Sequence, residues 1–105
     1  YCLYFRKGGY CQPNNYEDAK TVFYSPINIK DKMKWKHPTI KSEELIRKLI
    51  RNSSKENDIV LDCFLGSGTT AVCCLKENRN YIGFEINKEF YEICIKRIKE
   101  EDICI

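Results

Sequence analysis

The chain has 105 residues, with 18 Lys+Arg against 15 Asp+Glu for a net charge of +3 and 43% apolar residues. That length holds one small core, which excludes a complete two-domain enzyme, and a start at Tyr1 instead of Met adds the expectation of a fragment or an excised domain. The mild positive charge permits an acidic partner such as nucleic acid without indicating one, while the lack of any apolar run near the ~18 residues of a membrane span, or of a leader, leads to the expectation of a cytoplasmic protein.

In chain order, "YCLYFRKGG" (1–9) is aromatic-rich, alternates loosely and ends in a glycine pair, the pattern of a strand entering a turn. Residues 10–36 carry Pro13, Asn14, Asn15 and Pro26 and read as loop, with "TVFYS" (21–25) as a further strand candidate. Inside that loop, "KDKMKWK" would in an extended chain set Lys30, Lys32, Lys34 and Lys36 on one side and Met33 and Trp35 on the other. Such a comb can follow phosphates and raise affinity for DNA without reading sequence; a solvated loop is the competing reading.

The segment "SEELIRKLIRNSS" (42–54) places Leu45, Ile46, Leu49 and Ile50 on one helical stripe. Ser42 stands at the cap, with Glu43 and Glu44 in the first turn. Asp58-Ile-Val-Leu-Asp62 is short, apolar and β-branched, which predicts a buried parallel strand. The chain then turns on Gly66 and Gly68 and restarts as a helix over 69–78. Glycines suit such a turn because they reach positive φ without strain and let a ligand approach the backbone, where the N–H groups of a helix start attract polar atoms. "NYIGFEIN" (80–87) predicts a second buried strand, and 87–102 a helix with Phe90, Tyr91, Cys94, Ile95 and Ile98 facing inward. Helix, strand, helix, strand, helix implies an α/β class with a right-handed parallel βαβ unit, whose ligand crevice lies off the carboxyl ends of the strands.

Seven cysteines, at 2, 11, 63, 73, 74, 94 and 104, are odd in number and contain no C-x-x-C pair, so reduced structural thiols are expected in place of disulfides or zinc. His37 is the only histidine, and it has no ligand partners at metal spacing, so no metal site is expected.

Two ligands compete for the glycine turn. Gly66-Ser67-Gly68-Thr69-Thr70-Ala71 fits the dinucleotide fingerprint, with Glu85 where a ribose-binding acid should stand, as in a nicotinamide-dependent oxidoreductase. Asp62 argues against it, because a carboxylate at the strand tip repels a pyrophosphate and welcomes an ammonium group. One acid for a cation and one for a ribose describes S-adenosylmethionine.

The residues also carry a family resemblance. "VLDCFLGSGTTAVCC" resembles the D-x-F-x-G-S-G-T-T cofactor motif of the amino-group DNA methyltransferases, "YIGFEIN" their second cofactor motif, and "KHPTIKSEELIRKLI" (36–50) the His-Pro-Thr helix entry that precedes it. The motif order is similar to the permuted class in which the catalytic half comes first, and "YCLYFRKGG" resembles the last sheet strand of that half. Ser42 departs from the family's usual proline. The Asp-Pro-Pro-Tyr-type catalytic motif is absent, and "YSPIN" (24–28) is not a substitute for it, so no catalytic residue is expected in this chain.

The resemblance implies a partial Rossmann-like S-adenosylmethionine-dependent methyltransferase fold: a parallel βαβ unit with a preceding helix and an N-terminal strand. Residues 1–35 would be the end of the catalytic half and a linker loop, and 36–105 the cofactor-binding region. It further implies that His37, Thr39 and Lys41 lie under the methionine end of the cofactor, with Asp62, Phe64, Gly66, Ser67, Gly68, Thr69, Thr70 and Glu85 around the rest. Core packing is the alternative for Phe64, and an ordinary helix-entry charge for Lys41. The implied partners are DNA and the remaining catalytic half, in the same or a separate polypeptide. Ile59–Leu61 would otherwise present an open sheet edge for self-association. A non-catalytic remnant acting as a binding module is the third reading.

Overall fold

The computed structural model describes residues 7–8, 13–25 and 28–102. The strand expected over 1–9 therefore falls, apart from Lys7 and Gly8, outside the described residues, as do Cys2, Cys11 and Cys104. The elements are α1 (Tyr16–Ala19), α2 (Ile29–Trp35), α3 (Glu43–Ser53), β1 (Ile59–Asp62), α4 (Thr69–Lys76), β2 (Asn80–Gly83) and α5 (Lys88–Asp102). None of the described helices is long and apolar enough to cross a membrane.

β1 and β2 pair in parallel, with Ile59 opposite Asn80 and Asp62 opposite Gly83. This register brings both carboxyl ends to one level. The pairing continues past them, because Phe84 N–H donates to Asp62 O at 3.0 Å and Leu65 N–H donates back to Phe84 O at 2.8 Å. α4 supplies the crossover, and its apolar first turns bury Ala71, Val72, Cys73 and Cys74 completely. Ile50 of α3 packs on Cys73 and Cys74, with Ile46, Val60 and Tyr81 around them, so the core sits between α3, α4 and one face of the sheet. A parallel sheet laid on helices is the partial Rossmann-like arrangement expected.

α3 starts as its sequence dictates. Ser42 is extended at the cap and its hydroxyl accepts the Leu45 N–H, while Glu43 and Glu44 complement the helix dipole. α5 differs in one respect from its expected face: Tyr91 is 50% exposed, and Phe90, Cys94 and Ile98 point inward with Arg97 between them. Residues 90, 94, 97 and 98 form a stripe at helical spacing, and position 91 lies to one side of it.

Three expectations are corrected. The stretch 21–25 forms no strand, and the 10–36 loop instead contains two helices. α1 forms because the Asn15 side chain caps the Asp18 N–H at 2.8 Å, while buried Lys48 of α3 donates to the Glu17 and Lys20 carbonyls at its carboxyl end. Second, the lysine comb does not exist. Residues 29–35 are helical, ending at Lys36 in the left-handed region, so Lys30 and Lys34 share one side while Lys32 points away. Lys34 is tied to Glu100 at 2.9 Å and lies over Trp35. Third, the strands are not buried on both faces: Ile59, Leu61, Ile82 and Phe84 are all exposed on the side away from α4. A buried-strand pattern reports what the strand wants covered; whether a layer is present to cover it depends on the rest of the fold.

Candidate functional site

Where β1 and β2 end, a cavity of about 420 Å³ opens between the glycine turn, the start of α5 and the 37–41 loop. Every residue expected around the cofactor lines it except Gly68. The chain thus brings together His37, Thr39 and Lys41 from before α3, Asp62 and Phe64 from the end of β1, Gly66, Ser67, Thr69 and Thr70 from the turn, and Glu85 from beyond β2. Ile40, Ile46, Leu65, Asn87 and Phe90 complete the wall. None of these five was expected at the cofactor from sequence: Ile46 and Phe90 read there as inward-facing core positions, and Ile40, Leu65 and Asn87 carried no signal.

The two acids are held by backbone amides and, at Asp62, by a threonine hydroxyl. Asp62 takes the Phe64 N–H at 3.0 Å on one oxygen and the Thr70 hydroxyl at 2.6 Å on the other, which pins its carboxylate across the mouth of the turn. Glu85 accepts the Gly66 N–H at 2.8 Å and the Asn87 N–H at 2.7 Å. The acid that closes β2 thereby fastens the first glycine of the turn leaving β1. Both carboxylates keep lone pairs for a ligand, since each ionised carboxyl offers about four acceptor sites.

The glycines have different tasks. Gly66, at φ +56°, faces the cavity, and a Cβ there would come 3.4 Å from His37 Nε2. Gly68, at φ +83°, faces away from it, and a Cβ there would meet Cys94 Sγ at 2.6 Å. The second glycine is therefore present so that α5 can press against the turn, a packing role outside the cavity. Phe64 is 90% exposed at the rim, which removes the core reading of its ring.

His37 is 6% exposed and its ring lies against Phe90, centroids 4.2 Å apart. Its Nδ1 accepts the Thr39 N–H at 3.3 Å, which places the ring proton of the neutral form on Nε2. That Nε2 is buried and has no partner among the described residues. Burial lowers the imidazole pKa below its ordinary value, with Arg97 and Lys41 adding to the shift and Glu85 opposing it.

Behind the turn stands a residue that the sequence did not single out. Arg97 of α5 is 2% exposed and donates from Nη1 to the Ser67 carbonyl at 2.9 Å, the Ser67 hydroxyl at 3.0 Å and the Thr69 hydroxyl at 3.1 Å. Its Nη2 bonds Glu43 at 3.0 Å. The available signal was position: Arg97 stands three residues after Cys94 on the inward stripe.

Comparison with known proteins agrees with this geometry. Residues 6–96 match the N6/N4 methyltransferase family, described as DNA methylase. The chain is 39% identical over 90 residues to the Type II methyltransferase M2.DpnII of Streptococcus pneumoniae, covering 85% of this chain and 34% of that protein. Among solved structures, M1.HpyAVI in its SAM complex superposes with a TM-score of 0.58 at 50% identity, over 59% of this chain and 31% of that one. The cytosine-N4-specific PvuII DNA methyltransferase superposes with a TM-score of 0.59 at 28% identity, over 72% of this chain and 29% of that one. The chain spans about a third of the length of the curated relatives it matches. These matches set aside the oxidoreductase alternative. The chain belongs to the N6/N4 family of DNA methylases.

Proposed function

We propose that this chain is the cofactor-binding, C-terminal part of a cytoplasmic DNA methyltransferase that transfers a methyl group from S-adenosylmethionine to an exocyclic amino group of adenine or cytosine. The observation that carries the reading is a single cavity in which Asp62 and Glu85 stand on either side of a glycine turn. The cavity fits that cofactor. Glu85 has acceptor sites left for two ribose hydroxyls after binding the Gly66 and Asn87 amides. Asp62 offers negative charge to an ammonium group. The exposed ring of Phe64 offers a flat apolar face to a heteroaromatic ring.

When bound, S-adenosylmethionine supplies a methyl group activated by a positively charged sulfur. The residues of this chain bind and orient the donor, so that an incoming amino nitrogen meets the methyl in line, and proximity contributes much of the rate. Holding the flipped base falls to the remaining two thirds of the enzyme, in the same or a separate polypeptide. The boundary near residue 36 separates the two roles. DNA is the substrate; Lys30 and Lys32 on α2 and Lys36 at its end would reach phosphates from different sides, whereas Lys34 is held by Glu100.

Titration calorimetry of S-adenosylmethionine on the full-length enzyme tests the reading. Asp62→Ala and Glu85→Ala should each weaken binding by about 10- to 100-fold, the loss of a hydrogen bond to a charged group. Variants that bind as tightly as wild type overturn it.

A further inference from the structure

The Gly66–Thr69 turn has a mechanical problem. Gly66 and Gly68 both sit at positive φ, and glycine peptides at such positions rotate more freely than any others. Ser67, between them, is 3% exposed. Three hydrogen bonds oppose that freedom: Gly66 N–H to Glu85, Gly68 N–H to Leu65 O at 3.0 Å, and Arg97 Nη1 to Ser67 O. Two of them involve the walls of the cavity. The third is made from behind by a buried cation on α5, Arg97, whose guanidinium also lies 5.7 Å from the ring of Trp35 on α2.

A buried guanidinium is costly to desolvate and is usually matched by carboxylates. Arg97 has one, Glu43, which it shares with Lys76. The rest of its bonding is directed at the turn, where one Nη1 meets a carbonyl and two hydroxyls. Ser67 and Thr69, expected to face the cofactor, thus present their hydroxyl oxygens to Arg97 as acceptors.

We propose that Arg97 is a positioning residue for the cofactor: from α5, through the Ser67 carbonyl and the Ser67 and Thr69 hydroxyls, it fixes the conformation of the turn that the cofactor requires. This rests on the cofactor reading above. Glu43 anchors the far side of the guanidinium to α3, and Cys94, one turn earlier on α5, fills the space left by the missing Cβ of Gly68. Lysine cannot replace Arg97, since a point charge on a flexible stem lacks the planar fork that spans the turn and Glu43 together.

The test uses the full-length enzyme and S-adenosylmethionine, with Arg51→Lys as comparator. Arg51 is a partly buried arginine bonded to Asp18 and Glu77, and none of these three lines the cavity. Arg97→Lys should weaken cofactor binding by about tenfold or more, the loss of charged hydrogen bonds, whereas Arg51→Lys should lower the melting temperature and leave the affinity at the wild-type value. In a second measurement, amide exchange of the ligand-free Ser67→Ala enzyme should quicken at residues 66–69 and stay unchanged along β1 and β2. This variant removes one hydroxyl and keeps the arginine, so it remains informative where Arg97→Lys does not fold. Wild-type affinity in Arg97→Lys, an equal loss in Arg51→Lys, or unchanged exchange in Ser67→Ala overturns the proposal. Failure of the wild-type enzyme to bind S-adenosylmethionine would instead overturn the functional reading itself.

Discussion

Gly68 lies so close to Cys94 that a Cβ on the glycine would stand 2.6 Å from the sulfur and 3.3 Å from the Cys94 Cα. Part of that clash is with backbone, so α5 itself would have to move. Gly83 also has a neighbour at 2.6 Å, but it is the end of the Leu65 side chain, which can rotate away. Gly68→Ala should therefore destabilise the protein by about 2–5 kcal/mol, the sum of left-handed strain and overpacking, and Gly83→Ala by clearly less. Chemical denaturation of the two variants checks the order, and Cys94→Ala should restore only part of the Gly68→Ala loss.

Part of the pH dependence of stability comes from His37. Its pKa is lowered in the folded state, chiefly by burial, so the unfolded chain takes up the proton more readily. The neutral ring is compatible with the fold above the unfolded value of about 6.5. As pH falls below that value, stability is lost by at most about 1.4 kcal/mol per pH unit for this one proton. Denaturation midpoints measured against pH for wild type and His37→Gln should diverge on the acid side, with wild type falling faster. Parallel curves would show that His37 does not titrate with unfolding.

Cysteine labelling should separate the thiols by burial. Burial pushes Cys73 up to about 12 and Cys74 up to about 11, and raises Cys94 as well, so their thiolates are suppressed in the folded protein. Cys63, by contrast, is exposed. Brief treatment with iodoacetamide at neutral pH, read by peptide mass, should modify Cys63 and leave Cys73, Cys74 and Cys94 until denaturant is added. Early labelling of Cys73 would contradict the packing of α3 on α4.

The bare face of the sheet predicts association. Ile59, Leu61, Ile82 and Phe84 form a row of exposed apolar side chains beside an unpaired β1 edge among the described residues. In sedimentation the 105-residue chain should show a mass that grows with concentration. Leu61→Lys combined with Phe84→Lys should reduce that growth, since both side chains leave the same face. A stable monomer with strongly protected amides at 59–62 would mean that the chain closes its own sheet.

Sequence alone determined the elements from residue 42 onward, the parallel unit and most of the residues that meet at its carboxyl end. These are local matters: the 3.6-residue period of α3, the β-branched run of β1, the glycines at 66 and 68 and an acid after β2 each act within a few residues, and a parallel crossover leaves its ligand crevice in one place. Tertiary structure decided what depends on partners distant in the chain. The 29–35 segment is helical, with Lys34 held by Glu100 and Trp35 beside Arg97, contacts more than sixty positions away that no local pattern contains. By sequence Gly68 reads as a ligand glycine, but Cys94 packed behind it makes it a packing glycine. In the sequence Arg97 is one more charge on a charged helix; only the close approach of α5 to the turn buries it and gives its guanidinium the oxygens of Ser67 and Thr69. Ile59 and Leu61 read as buried because the sequence records an apolar strand, and it cannot record whether a covering layer is there.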